Sequence, residues 1–114
     1  MANRRLNATE RQLMLRLLRA VPGADCLIAS LDHVSVRELN DGGMGSLAFV
    51  QEENKKQRFG KRLVTGEFMD KDGVKVQLGV NLDDSGRLFE LDVWKVDFSP
   101  LRAWPLPSDV RICE

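Results

Sequence analysis

From Val74 to Leu82 the chain reads Val-Lys-Val-Gln-Leu-Gly-Val-Asn-Leu, with every second residue apolar and every intervening one polar or glycine. Successive strand side chains point to opposite faces, so this period of two predicts a strand with one dry and one wet face. Asp70-Lys71-Asp72-Gly73 before it and Asp83-Asp84-Ser85-Gly86 after it carry the aspartate and glycine of tight hairpin turns. Strands over 63–69, 74–82 and 87–96 therefore form a three-stranded antiparallel meander. Its inner face is expected to hold Val64, Phe68, Val76, Leu78, Val80, Phe89, Leu91 and Val93.

The N-terminal third follows a different period. Leu13, Leu17 and Val21, with Met14 and Leu18, repeat at helical spacing, and Arg11, Arg16 and Arg19 fall largely on the other side. Thr9 and Gln12 have the spacing of a capping box, in which the Thr9 hydroxyl accepts the Gln12 N–H, so a helix should start there and stop at Pro22-Gly23. Asp25 is placed to cap a second short helix with Leu27, Ile28 and Leu31 on one face. Val34 and Val36 open a strand that ends near the glycine-rich turn 41–45, and 46–50 is the next strand. Residues 51–61 are almost wholly polar and aperiodic, which predicts an exposed loop. The tail carries Pro100, Pro105 and Pro107, cannot supply a central strand, and is expected to wrap the surface. The predicted architecture is a single α+β domain over 1–114: two N-terminal helices on an antiparallel sheet of four to five strands, the first helix covering the inner face.

Composition narrows the class. A chain of 114 residues with 43% hydrophobic and 30% charged residues is an ordinary globular domain, without an apolar run long enough to span a membrane. Seventeen basic and seventeen acidic side chains cancel, so the sequence-wide field that draws proteins to nucleic acid is missing. The charge is unevenly spread: residues 1–62 carry 11 basic and 7 acidic groups, and residues 63–114 carry 6 and 10. Cys26 and Cys113 lack the spacing of a zinc site or a disulfide framework and read as free thiols. With arginines interrupting the first apolar stretch, no secretory signal is recognised and a cytoplasmic location is expected.

Candidate chemistry is sparse. Asn81, Asp83, Ser85, Gly86 and Asp92 imitate the spacing of a calcium loop, but the flanks read as strands and a hairpin turn accounts for the same residues. The glycines at 42, 43 and 45 precede a strand rather than the helix that a phosphate loop needs, so a turn is preferred. His33, the only histidine, reads as structural. No metal or cofactor is expected. On the outer face of the meander, Glu67, Glu90 and Asp92 could share acid and base roles in a small hydrolase, against the simpler reading of a solvated face balanced by Lys75 and Arg87. Alternation places Trp94 on that same polar face. There it is either an anchor for a partner or, as preferred here, covered by the tail and packed near Trp104. The basic residues Lys55, Lys56, Arg58, Lys61 and Arg62 could touch phosphates, though only Phe59 lies among them to stack on bases, and nucleic acid is the weaker expectation.

The capped helix, the run Gly45-Ser46-Leu47, the Asp-x-Asp-Gly turn and the run Gly86-Arg87-Leu88-Phe89-Glu90-Leu91-Asp92-Val93-Trp94, closed by Ser99-Pro100, resemble a family of small bacterial α+β domains of unknown function. Those motifs are turns and core positions and transfer no catalytic residue. In place of the charged glycine turn usual before Ser-Pro, this chain has Asp97-Phe98. Because no nucleophile pair, metal cluster or phosphate loop is recognised, the expected role is a non-catalytic module that binds another protein, immunity-like or regulatory, as the resemblance to small bacterial proteins that include toxin-neutralising ones also implies. The residues expected to bind are Trp94, Glu67, Glu90, Asp92 and Lys75.

Overall fold

A computed structural model describes residues 3–40, 42–51 and 57–113. Its strands are β1 (Arg4–Arg5), β2 (Ser35–Glu38), β3 (Leu47–Val50), β4 (Phe59–Met69), β5 (Lys75–Asp83), β6 (Leu88–Lys95) and β7 (Arg111–Cys113), and its helices are α1 (Ala8–Leu18) and α2 (Asp25–Ser30). All pairings are antiparallel, in the order β1-β2-β3-β6-β5-β4-β7. The α+β class and the meander β4-β5-β6 match the sequence reading. The sheet has seven strands rather than four or five, because β1 and β7 are too short to show a periodic signal. They exist by pairing with β2 and β4.

Helix α1 forms because its amphipathic stripe meets the sheet: Leu13, Met14, Leu17 and Leu18 are buried against Val64, Phe68, Val76, Leu78, Val80, Leu91 and Val93. Each such side chain, fully removed from water, stabilises the fold by about 1.5–3 kcal/mol. The cap lies two residues before the expected one. Asn7 Oδ1 accepts the Glu10 N–H at 2.8 Å and Glu10 Oε1 accepts the Asn7 N–H at 3.0 Å. Arg4 decides between the two boxes, since its guanidinium grips the buried Glu10 through both carboxylate oxygens at 2.8 Å. Asp25 is the first residue of α2 and not its cap; Ala24 occupies the cap position without a side-chain bond.

Two strand details depart from simple alternation. Strand β4 begins at Phe59, so part of the expected loop is strand, with register shifts between Phe59 and Lys61 and between Arg62 and Val64 that scramble the period of two. A further shift opposite Asn81 and Leu82 puts Leu88 in the core and leaves Phe89 half-buried, correcting the predicted inner face at Phe89. The tail crosses the inner side: Leu101 N–H bonds to Gly43 O, and the Arg16 guanidinium reaches Pro107 O and Val110 O before β7 joins the edge of β4.

Candidate functional site

Helix and tail both lie on the inner side, so the other face of the sheet stays open. Alternation and register order its side chains into rows. Trp94, Gln77, Glu67 and Arg111 form one row across β6, β5, β4 and β7. Arg37, Ala48, Glu90, Asn81 and Arg62 form another across β2, β3, β6, β5 and β4. Glu67, Lys75, Glu90, Asp92 and Trp94 are thereby all brought to one surface.

Contacts divide these residues into two groups. Glu67 pairs with Lys75 at 3.2 Å and with Arg111. Asp92 Oδ2 accepts Arg62 Nη2 at 2.6 Å and Asn81 Nδ2 at 3.0 Å, while Arg62 Nε donates to Asn81 Oδ1 at 3.0 Å. Gly79 makes that network possible, because a Cβ there would stand 2.5 Å from the Arg62 guanidinium. The expected balance by Arg87 does not occur on this face; Arg87 lies beside Asp83 in the hairpin turn, and Arg62 takes its place. Burial, and then the charge of Asp92, push the Glu90 carboxyl above its usual range, with Asn81 and Arg62 opposing. Glu67 and Asp92 thus act as partners for fixed cations.

Trp94 is not covered by the tail. It is 45% exposed and borders a shallow cleft of about 290 Å³ with Met44, Gln77, Gly79 and Arg62. The ring beside it belongs to Phe98, at a centroid distance of 6.0 Å and an angle of 42°. Trp104 is half-buried on the other side of the sheet, against Gly45 and Leu101. The preferred cover failed because the chain turns toward the inner side after β6, where the Lys95 Nζ holds Pro100 O at 3.2 Å. Phe98 itself is 67% exposed and has φ 62°, a left-handed conformation in which a bulky residue is strained. Val96 and Met69 are exposed beside the same end of the sheet.

Sequence reasoning missed Lys95, although the alternation through Leu91 and Val93 points it inward. Its ammonium is fully buried between Asp70 at 2.9 Å and Asp72 at 2.5 Å. Burial opposes its charge, but the two carboxylates raise its pKa above the usual lysine value. For Asp70, burial is outweighed by the Arg102 N–H, the Lys95 ammonium and the Lys71 N–H, which hold its pKa at about 2. Asp70 also accepts the Ala103 N–H, so the cluster fastens the tail to the β4–β5 turn.

The remaining motifs separate. Asp83 accepts the Ser85 and Arg87 N–H groups of its own turn, whereas Asn81 and Asp92 bond to each other, so the calcium-loop imitation is a hairpin. Among the described residues no His, Cys, Asp and Glu group has metal-site geometry. Gly43 and Gly45 adopt positive φ where Pro100 and Trp104 approach closely, which explains the glycine-rich turn by packing. His33 is exposed in the turn after α2, and both cysteines are free. Of the basic stretch, Lys55 and Lys56 lie outside the described residues, Arg58 and Lys61 are exposed, and Arg62 is drawn into the outer-face network. Among the described residues no helix is long and apolar enough to cross a membrane.

Residues 3–105 match the model of a family described as a domain of unknown function (DUF6984), and the chain belongs to that family. Neither a curated protein nor a solved structure matches it.

Proposed function

We propose that this member of the DUF6984 family is a non-catalytic cytoplasmic module that binds another protein through the open face of its sheet, with Trp94 and Phe98 as the anchor. One observation carries the reading: two aromatic rings stand together in solvent, and one of them is held in a strained backbone conformation that burial does not repay. Exposed aromatics with a polar surround are the residues whose truncation costs complexes most, on the order of 2 kcal/mol or more. Glu67, Lys75, Asp92 and Arg62 supply that surround. Each is already ion-paired, which favours a recognition rim over acid–base chemistry on Glu67 and Asp92.

Affinity purification from the native host with the wild-type chain and with Trp94→Ala tests the reading. A discrete polypeptide retained by the wild type and lost with a folded Trp94→Ala supports it. Equal recovery on both overturns it. A hydrolytic activity abolished by Glu90→Gln in a folded protein would replace it with the enzyme reading.

A further inference from the structure

The chain is electrically neutral, yet its charges are sorted by face. Register places Arg5, Arg37, Arg62, Lys75 and Arg111 on the outer side of the described strands, against Glu67, Glu90 and Asp92. Asp83, at the end of β5, is turned into its own hairpin. The cations also stand above the anions. The Arg111 side chain is 73% exposed and the Glu67 side chain beneath it 13%; for Arg62 and Asp92 the values are 47% and 37%. Arg37 is exposed and makes no ion pair among the described residues. Aspartates 70, 72 and 83, by contrast, are spent in turns and on Lys95. What an approaching molecule meets on this face is mainly guanidinium and ammonium beside Gly79, Thr65 and Ala48, with the Trp94–Phe98 pair toward one end.

Resting on the protein-binding reading above, we infer that the partner presents an acidic, extended segment whose carboxylates meet Arg62, Arg37, Lys75 and Arg111 while an apolar side chain seats beside Trp94 and Phe98. The dimensions suit such a segment. Trp94 and Glu90 are four residues apart on β6, about 13 Å, a distance that four or five extended residues cover. Arg37 and Arg62 lie at right angles to that run, each two strand spacings or about 10 Å from Glu90, so glutamates projecting from either side of a segment laid along β6 can meet them. Arg62 is held by Asn81 and Asp92 before any partner arrives, which lowers the ordering cost of using it. Nucleic acid fits less well, because single strands are gripped by closely successive stacking aromatics, whereas the exposed Phe59 and the Trp94–Phe98 pair stand toward opposite ends of β5 by register.

A soluble peptide of about ten residues, alternating glutamate with leucine and carrying one phenylalanine, is the probe. Its binding is read by titration calorimetry at low salt, with Trp94 fluorescence in a Trp104→Phe background as a second readout wherever Trp94 is retained. The expected results are saturable binding, no binding of the lysine counterpart, weakening as salt rises, and a loss of about tenfold in the Arg37→Gln/Arg62→Gln variant. Arg37→Gln alone, at an exposed unpaired position, should lose about threefold and guards against misfolding of the double variant. Equal binding of glutamate and lysine peptides, abolished by Trp94→Ala but untouched by the arginine substitutions, would overturn the acidic partner while leaving the docking face standing. No response to either peptide would overturn the acidic partner too, and tighter binding of an oligouridylate than of the glutamate peptide would replace it with nucleic acid.

Discussion

Trp94 and Lys95 are neighbours on β6, and each stands where the other's chemistry would be expected. The ammonium is fully buried and the indole is in solvent. Their difference separates the two faces of the sheet. On the inner face a charge is tolerated because Asp70, Asp72 and Pro100 O surround it, and Asp70 in turn gathers three backbone N–H groups. On the outer face an aromatic side chain is left without cover although the tail passes close by. Polar groups can be buried where every partner is supplied, and apolar ones left exposed where nothing in the chain closes over them. The first arrangement is structural. The second supports the proposed docking role.

The strongest way to break this contrast is Asp70→Ala. It leaves the Lys95 ammonium with one carboxylate and frees the Arg102 and Ala103 N–H groups, so urea unfolding should show a loss of about 3–5 kcal/mol. A loss below 1 kcal/mol would mean that the cluster does not hold the tail. The same residue gives a pH signature. Its folded pKa of about 2 lies below the ordinary aspartate value of 3.8, so its contribution is present above 3.8 and disappears as pH falls from 3.8 toward 2. Acid titration of unfolding free energy in the wild type and in Asp70→Asn should differ in slope across that window.

Next comes the strand detail. Leu88→Ala should cost about 2–4 kcal/mol, and Phe89→Ala distinctly less, because the register shift hands the core position to Leu88. The reverse order in thermal or chemical unfolding would mean that plain alternation holds through β6.

Phe98→Gly is expected to stabilise the protein by roughly 0.5–1 kcal/mol, since glycine adopts positive φ without the steric penalty, and to weaken docking. A destabilised variant would show that the ring contact with Trp94 outweighs the strain. The smallest stability effect is expected at Trp94→Ala, under about 1 kcal/mol. In a Trp104→Phe background, iodide should quench Trp94 strongly in the free protein. Weak quenching would remove it from the binding surface.

Much of the fold was legible because local chemistry and tertiary demand agree along β5. Alternation there predicted the inner residues, and the two aspartate–glycine turns predicted the meander. The site was legible in part: alternation put Trp94, Glu67, Glu90, Asp92 and Lys75 on one face. It did not identify Arg62 as the partner of Asp92, since two irregularities in β4 hide the side to which Arg62 points. Lys95 was overlooked because a lysine on an inward position contradicts composition unless its partners, 23 and 25 residues away, are known to converge on it.

The sequence alone determined the helix stripe, the hairpin turns, the two faces of the meander and the absence of a net field, all of which depend on residues a few positions apart. Tertiary structure decided the edge strands, the choice of Asn7 over Thr9 as cap, the burial of Lys95 and the exposure of Trp94. Each of these turns on a contact made across the fold: Arg4 with Glu10, β1 with β2, β7 with β4, and Lys95 with Asp70 and Pro100. Local patterns carry the sign of a residue's preference, but whether that preference is satisfied depends on which distant groups arrive beside it.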